Sequence, residues 1–408
     1  MGGFGKTTSG EKKRSRSQNK NMTPKRAKLV LEDGSEYPGW AFGRLKSIAG
    51  EVVINTGMNG LVQSLTDPGF HGQIIVSTYP LAGNCGVPVN KKGMPFFDKQ
   101  GIPVSLESEQ IHVRGLVVSG LCEKTSHYSS GLTLSKWFEK SGIPGIYGVD
   151  TRAVAIRFRE RGAMRGKIIT EGRSEVTLNS CILSNPFNVS HNTIKTFTPD
   201  GENIQGRIKI ALIDCGVKAN IIRCLLSRGA EVIRLPCDHS LEGIEYDGLL
   251  ISSGPGDPKD CGKTIETVRR AFEASKPIFG IGLGNLIMAL AAGADTYRLL
   301  SGHCAQNLPC IETQRIESVP LNSTEEGIPE NPRRCYVTSQ NHGYSIRNGT
   351  LPENWRSWFI NANDGAMEGI YCLNKPFSAV LFNPEGCPGS GDTEFLFDRF
   401  IARIKEAK

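Results

Sequence analysis

The sequence predicts an α/β protein of two domains: an N-terminal domain that is β-rich with a few helices, and a C-terminal domain built on a doubly wound parallel sheet. Three observations support this prediction. The chain has 408 residues, enough for two domains that each bury their own core. Its second half alternates short apolar runs with helical segments, which is typical of a parallel sheet. Its first half contains short β-type runs separated by turn residues.

The composition indicates a soluble globular protein. Hydrophobic residues make up 38% of the chain and charged residues 22%. No apolar run approaches the roughly 20 residues of a membrane span, and the N-terminus lacks the apolar region of a secretory signal. The twelve cysteines include no Cys-x-x-Cys pair and no cysteine–histidine cluster at zinc-ligand spacing. We therefore expect reduced thiols, no metal site, no membrane partner and a cytoplasmic location.

The net charge of +7 comes from the N-terminal tail. Residues 1–28 hold nine Lys or Arg and one acid, while the rest of the chain holds 39 basic and 40 acidic residues. We therefore expect residues 1–27 to be a disordered basic tail, and nucleic acid to be a partner only through that tail. Lys12-Lys-Arg14 and Lys25-Arg26 leave a nuclear location open, and a mitochondrial presequence is a further alternative.

Residues 28–186 are predicted to form the N-terminal domain. A strand at 29–34 runs into an Asp-Gly turn and returns through Trp40. Further strands are predicted at 52–54, 73–76 and 112–118, and helices at 132–140 and 151–161. Asp150 is placed to cap the second helix. The polar segment 187–206 has no clear period and is predicted to be a linker.

One stretch of the predicted C-terminal domain, residues 207–408, has the form of a nucleophile elbow. The apolar run 278–281 predicts a buried strand, which turns through Gly282-Leu-Gly284 into an apolar helix that Gly293 ends. A strand, a tight turn and a helix together present one side chain to a pocket, where the helix N-terminus helps to stabilise an oxyanion. The position that should carry the nucleophile is Gly282, which has no side chain.

This stretch, Gly280-Ile-Gly282-Leu-Gly-Asn285-Leu286, resembles the Gly-Ile-Cys-Leu-Gly-His-Gln of class I glutamine amidotransferases, and specifically of the glutaminase half of carbamoyl-phosphate synthases. The N-terminal half resembles the small chain of the same synthases. That resemblance rests on Asn55-Thr-Gly-Met, Leu65-Thr-Asp-Pro68, Thr78-Tyr-Pro-Leu-Ala-Gly-Asn84 and Ile146-Tyr-Gly-Val-Asp-Thr-Arg152. The resemblance covers roughly residues 28–408 and implies a small-chain domain followed by a class I amidotransferase domain.

The resemblance also implies where the catalytic residues of this family would lie. Gly282 stands at the position of the cysteine nucleophile. Phe382-Asn383-Pro-Glu385 resembles the family's Phe-His-Pro-Glu, so Asn383 stands at the position of the histidine base and Glu385 keeps the orienting carboxylate. An amide does not titrate near neutral pH and cannot act as a general base. We therefore expect a degenerate glutaminase that is silent toward glutamine.

The positions implied to bind glutamine are partly preserved. Gly57 and Leu286 replace a serine and a glutamine that contact the substrate in the family, and the segment 302–309 has drifted from Gly-His-Arg-Gly-Gly-Asn-His-Pro. We expect these losses to weaken glutamine binding. The retained positions are the oxyanion and backbone groups at Gly254, Gly256 and Leu283, and the loop 339–344 with Asn341, Gly343 and Tyr344.

The resemblance implies an ATP-dependent synthetase chain or domain as the partner. Any ATP and bicarbonate would bind that partner, so no cofactor is expected in this chain. The leading hypothesis is a structural or regulatory partner of a synthetase that uses free ammonia, in either the pyrimidine or the arginine and urea pathway. One alternative is residual amidotransferase activity through another thiol, among them Cys304, Cys310, Cys335 and Cys387. Another is a metabolite-binding or nucleic-acid-binding protein without a synthetase partner.

Overall fold

A computed structural model describes residues 24–181, 184–200, 206–313 and 334–408. The first domain is a closed barrel of seven strands in the order β1-β2-β6-β5-β4-β3-β7. The strands are β1 (Arg26–Leu31), β2 (Glu36–Gly43), β3 (Ile48–Asn55), β4 (Gln73–Ser77), β5 (Gly115–Val118), β6 (Pro144–Tyr147) and β7 (Met164–Thr170). Strands β3, β4, β5 and β6 run parallel to one another. Their starting ends therefore meet at one mouth of the barrel and their finishing ends at the other.

The local sequence explains one hairpin of this barrel and the start of one helix beside it. The predicted hairpin is present: β1 and β2 pair in antiparallel fashion around Gly34, whose φ of 85° suits glycine. Three helices lie beside the strands: α1 (Leu61–Thr66), α2 (Leu134–Ser141) and α3 (Thr151–Arg161). The predicted cap of α3 is confirmed, since Asp150 Oδ1 accepts a hydrogen bond of 2.9 Å from the N–H of Ala153.

Two predicted boundaries differ from the structure. Strand β1 begins at Arg26, inside the predicted tail, whereas residues 1–23 of that tail lie outside the described residues. Part of the segment predicted as a linker forms strand β8 (Lys195–Phe197), which pairs with the second domain. This strand was missed because it has three residues and buries one side chain, Phe197, so it shows no periodicity. Residues 201–205 of the predicted linker also lie outside the described residues.

The second domain is built on a ten-stranded mixed sheet, counted over the described residues. Its order is β14-β13-β15-β16-β17-β12-β11-β9-β10-β8. The strands after β8 are β9 (Lys209–Asp214), β10 (Glu231–Pro236), β11 (Gly248–Ile251), β12 (Ile278–Ile281), β13 (Thr296–Glu312), β14 (Cys335–Ile346), β15 (Trp355–Asn361), β16 (Met367–Cys372) and β17 (Phe377–Val380). The predicted parallel sheet is confirmed for β10, β9, β11, β12 and β17. The antiparallel strands β13 to β16 were not predicted.

Helices cover both faces of this sheet, as a doubly wound fold requires. The helices are α4 (Ala219–Leu226), α5 (Gly262–Glu273), α6 (Leu283–Ala292) and α7 (Phe395–Ala407). Apolar residues of α4 and α7 share one buried cluster with the sheet, whereas those of α5 and α6 share a second cluster. No helix within the described ranges combines the length and the apolar character needed to cross a membrane.

Candidate active site

The predicted nucleophile elbow is present in the structure. Gly282 joins β12 to α6 with φ of 59° and ψ of −116°, and its N–H donates to the Val380 carbonyl at 2.8 Å. A φ in this range favours glycine, since a side chain there is strained. A Cβ added at Gly282 would lie 3.0 Å from Cβ of Ser253. A side chain at this turn would therefore point toward Ser253, just after the end of β11.

Two glycines that were predicted to be retained, Gly254 and Gly256, lie in the turn after β11, where the backbone packs closely. A Cβ at Gly254 would lie 2.0 Å from the Cys215 carbonyl oxygen, so only glycine fits there without a shift of the backbone. Gly256 has a φ of 100°, and a Cβ there would lie 2.6 Å from the Ser184 carbonyl oxygen. Leu283 comes directly after Gly282 as the first residue of α6. The backbone is thus closely packed at Gly254 and Gly256, near an elbow turn that carries no nucleophile.

The two other predicted catalytic positions lie just after β17. Asn383 is 7% exposed, and its backbone N–H donates to the Ser339 carbonyl at 2.8 Å. Glu385 is buried and forms an ion pair of 2.8 Å with the Nζ of Lys218. Burial alone would lower the pKa of Lys218, but the carboxylates around it, Glu385 first, raise that pKa above its ordinary value. The Glu385 carboxylate, which was predicted to orient a base, is therefore paired with the ammonium group of Lys218.

Lys218 was not singled out from the sequence. It lies just before α4, its side chain is 1% exposed, and it also donates to the Gly386 carbonyl at 3.0 Å. The separation of 168 residues between Lys218 and Gly386 places these contacts beyond the reach of any local pattern.

The predicted substrate loop is part of a strand in the structure. Asn341, Gly343 and Tyr344 lie in β14, which pairs with β13. The Asn341 amide lies 3.5 Å from Oδ2 of Asp67, which belongs to the barrel domain, so this region is an interface between the two domains. Burial raises the pKa of Tyr344 to about 12.

Gln306 in β13 occupies space next to Gly57, the position where the family has its substrate-contacting serine. Its Nε2 donates to the Asn59 carbonyl at 2.7 Å, across the interface between the domains. A Cβ at Gly57 would lie 2.5 Å from the same Nε2 atom. The signal in the sequence was the glutamine itself, which stands where the family motif has its third glycine. Its contact with the barrel could not be predicted, because 247 residues separate the partners.

Leu286, predicted from the resemblance to stand at a glutamine-contacting position, is buried in the structure. It is 3% exposed and belongs to the apolar cluster between α6 and the sheet. The α6 residues lie almost entirely inside, so the helix turns this side chain into the core. Leu286 is therefore a packing residue in this structure.

A small cavity lies beside two of the predicted site residues. A cavity of about 20 Å³ lies between the two domains, and it is lined by Asn55, Ser64, Asp67, Phe70, Cys304, Ala305, Gln306, Ser339, Gln340, Asn341, Asn383 and Pro388. This volume holds about one water molecule, whereas small-molecule sites commonly enclose roughly 300 Å³ or more. Of the predicted site residues, the cavity brings together Asn341 and Asn383. Gly282, Gly254 and Gly256 are outside its lining.

Three of the four cysteines considered as replacement nucleophiles, Cys304, Cys310 and Cys387, are poorly suited to that role. Cys387 donates its thiol hydrogen to Oε1 of Glu107 at 2.9 Å, and burial together with that carboxylate raises its pKa to about 12. Burial also raises the pKa of Cys304 to about 12 and that of the buried Cys310. A protonated thiol is a weak nucleophile. Cys335 is exposed at the start of β14.

We expect Cys387 to be alkylated at least about 100-fold more slowly than the exposed Cys85 in the folded protein. A pKa of about 12 leaves only about one thiol in 10⁵ ionised at pH 7, and the thiolate is the form that reacts. Pulse labelling with iodoacetamide, read by peptide mass spectrometry, measures both rates in one sample. Unfolded protein serves as the control, because both thiols should then react at similar rates. Rapid labelling of Cys387 in the folded chain would contradict the conclusion that its thiol is buried and protonated.

A cluster of His303, His342 and Glu368 is the one group of three or more potential metal ligands in the described part of the chain. The buried Glu368 carboxylate contacts His303 Nδ1 at 3.1 Å and His342 Nε2 at 3.3 Å. Burial would raise the pKa of Glu368, but the two imidazoles lower it to about 2. The His303 contact is a hydrogen bond and the His342 contact is within ion-pair distance, so the cluster connects β13, β14 and β16.

Comparison with known proteins agrees with this geometry. Residues 29–168 match the family model of the carbamoyl-phosphate synthase small chain, CPSase domain, and residues 211–403 match that of glutamine amidotransferase class-I. Fold and elbow together define a class I glutamine amidotransferase domain that comes after a barrel domain. The chain belongs to the carbamoyl-phosphate synthase small-chain family, and the resemblance seen in the sequence is confirmed.

Three curated relatives show the same match over most of this chain. It is 39% identical over 404 residues to the multifunctional protein pyr1-3 of Dictyostelium discoideum, which covers 94% of this chain and 17% of that protein. It is 40% identical over 404 residues to the multifunctional protein pyr-3 of Neurospora crassa, covering 92% and 21%. It is 40% identical over 390 residues to the mitochondrial carbamoyl-phosphate synthase [ammonia] of Mus musculus, covering 95% and 24%. The chain thus spans about a fifth of the length of these relatives.

Proposed function

We propose that this chain is a catalytically degenerate glutaminase subunit or domain of a carbamoyl-phosphate synthase. It acts as a structural and regulatory partner of an ATP-dependent synthetase that uses free ammonia. The observation that carries the proposal is Gly282, which closes the elbow turn at a φ of 59° and offers no nucleophile.

The remaining catalytic positions support the same conclusion. Hydrolysis of glutamine by a thiol needs a thiolate, a base to deprotonate it and a group to orient that base. Asn383 supplies an amide, which cannot take up a proton near neutral pH. Glu385 is held by Lys218 at 2.8 Å. The nucleophile and the base are therefore absent, and the carboxylate that would orient the base is paired with Lys218.

The substrate side supports it as well. The cavity of about 20 Å³ is far smaller than glutamine, and Gln306 fills the space beside Gly57. The domains meet at this point through the Gln306–Asn59 hydrogen bond and the Asn341–Asp67 contact. The former pocket thus serves as a contact between the two domains.

The relatives support a synthetase partner. Each is several times longer than this chain, and the mouse relative is named for its use of ammonia. We propose that ATP, bicarbonate and ammonia bind to the synthetase partner, and that this chain contributes contacts that stabilise or regulate it. Glutamine is not a substrate in this proposal.

The test is to purify the protein with its partners from its native source and to assay the complex. We expect an ATP-dependent synthetase to co-purify, and carbamoyl phosphate to form from an ammonium salt but not measurably from glutamine. A glutamine-analogue electrophile should leave the mass of this chain unchanged, while a glutamine-hydrolysing class I amidotransferase treated in parallel becomes labelled. Glutamine-dependent synthesis, or a labelled residue in this chain, would refute the loss of glutaminase activity. If no synthetase co-purified with this chain, the proposal of a synthetase partner would be refuted.

A further inference from the structure

A second, larger cavity lies at the opposite mouth of the barrel. Its volume is about 210 Å³, and residues just before β4, β5 and β6 and at the start of β3 line it. These strands are parallel, so the cavity sits at their starting ends. Asn55, which lines the small cavity between the domains, lies at the finishing end of β3. The two sites are therefore at opposite ends of the barrel.

The charged side chains that line this cavity, those of Lys46 and Arg114, are both positive. Lys46, His71, His112 and Arg114 are among its lining residues, and no Asp or Glu is. A concave site lined by one sign of charge concentrates ligands of the other sign. The cavity is smaller than a drug-sized pocket, so it suits a small anion with few non-hydrogen atoms.

The guanidinium of Arg114 lacks a partner in the described part of the chain. Its Nε is buried without a hydrogen bond, and the side chain forms no ion pair with a described residue. Lys46 likewise forms no ion pair there. A partly buried arginine without a counter-ion is costly, and guanidinium groups bind carboxylate and phosphate oxygens through paired N–H donors. These two cations are therefore available for an anionic ligand.

Two imidazoles complete the site. His112 is 7% exposed, and its Nδ1 has no hydrogen-bond partner among the described residues; the same holds for Nδ1 of His71. Their ring centroids lie 5.9 Å apart. Burial lowers the pKa of His112 to about 3, and the neighbouring His71 adds to this effect. Both rings are thus neutral in the free protein, and each can donate one hydrogen bond to a ligand oxygen.

We propose that this cavity binds a phosphate group, as inorganic phosphate or a small phosphomonoester. Arg114 and Lys46 supply the two positive charges that a dianion needs, and His71 and His112 supply hydrogen-bond donors. The site goes beyond the loss of glutamine chemistry, and it gives the barrel domain a ligand of its own at the end remote from the elbow.

The test measures the thermal unfolding midpoint of the full chain in sodium phosphate, with sodium chloride and sodium acetate at the same ionic strength as references. We expect a saturable rise with phosphate, no such rise with acetate, and dissociation constants from calorimetry that increase at least about tenfold in Arg114→Met and in Lys46→Met. Lys124→Met is the matched control, since Lys124 is exposed and outside the cavity lining, and it should bind phosphate like the unaltered chain.

Phosphate and chloride giving equal midpoints would overturn the proposal, and so would unchanged affinity in both variants. Lys46 is exposed, so Lys46→Met keeps the test valid if Arg114→Met does not fold. Line broadening of the ³¹P signal of phosphate on addition of protein gives a readout that does not depend on stability. None of these measurements involves glutamine, so their outcome is separate from that of the proposed function.

Discussion

The variant that carries Gly282→Cys and Asn383→His is expected to hydrolyse glutamine at most weakly. These two changes restore the thiol and the imidazole, but they leave the cavity at about 20 Å³ and Gln306 beside Gly57. Glu385 also stays paired with Lys218. The introduced histidine would have no carboxylate to orient it and little bound glutamine to act on, so it should contribute little to the rate of hydrolysis. Ammonia release from glutamine, measured at saturating substrate, gives the rate.

Adding Gln306→Gly and Gly57→Ser to those two changes should raise kcat/KM by roughly 10- to 100-fold over the two-change variant. Each restored polar contact is worth about 1–3 kcal/mol, and about 1.4 kcal/mol corresponds to a factor of ten. Gln306→Gly alone is the matched control, because it opens the space without supplying chemistry and should leave the rate at background. A vigorous rate from the first two changes alone would show that the pocket is intact and that the assignment of Gln306 is wrong.

Replacing Lys218 with methionine is expected to lower the free energy of unfolding by about 3–5 kcal/mol, because it leaves the buried Glu385 carboxylate without its cation. Glu107 and Asp67, both buried, also lose the positive charge near them. Urea unfolding at neutral pH measures the change. Glutamine hydrolysis should stay at background in this variant, since Glu385 stabilises the fold and has no base to orient.

The companion variant Lys218→Met with Glu385→Leu removes both charges of the ion pair and should recover part of the lost stability, because an apolar pair can replace a buried ion pair. Glu107 and Asp67 still lack the nearby cation in this variant, so recovery is incomplete. Lys209→Met is the surface control. Lys209 pairs with Glu245, which is 86% exposed, and the loss of this solvent-exposed pair should have little effect. If Lys218→Met unfolded at the same urea concentration as the unaltered chain, the ion pair would contribute nothing and the role given to Glu385 would be wrong.

The parallel strands and the elbow could be predicted because their signals are local. Strand β12 is a run of four buried residues, and Gly282 and Gly293 mark the two ends of helix α6. Strands β13 and β14 have 17 and 12 residues, yet they were missed. Much of β13 is exposed or half-buried, and breaks in register after Arg298 and Ala305 interrupt the alternation on which strand prediction depends.

The candidate site also combines features that local motifs predict with contacts that no local motif predicts. Gly282, Asn383 and Glu385 could be placed from short motifs, since each motif carries its own pattern of residue types. The contacts that give these residues their present roles join distant parts of the chain. Gln306 reaches the Asn59 carbonyl and Cys387 reaches Glu107 across the interface between the domains. The packing of Leu286 against the sheet likewise depends on which face of α6 it occupies, and its position in a motif does not determine that.

The backbone at Gly282 bears on whether an evolving lineage could regain the lost nucleophile. A residue with a side chain at a φ of 59° costs about 1–3 kcal/mol, and its Cβ would press against Ser253 at 3.0 Å. The first mutant to restore sulfur at this turn would be less stable and still inactive, because Asn383 offers no base. Activity at this turn therefore requires at least two changes, and the first of them lowers stability without any gain in rate.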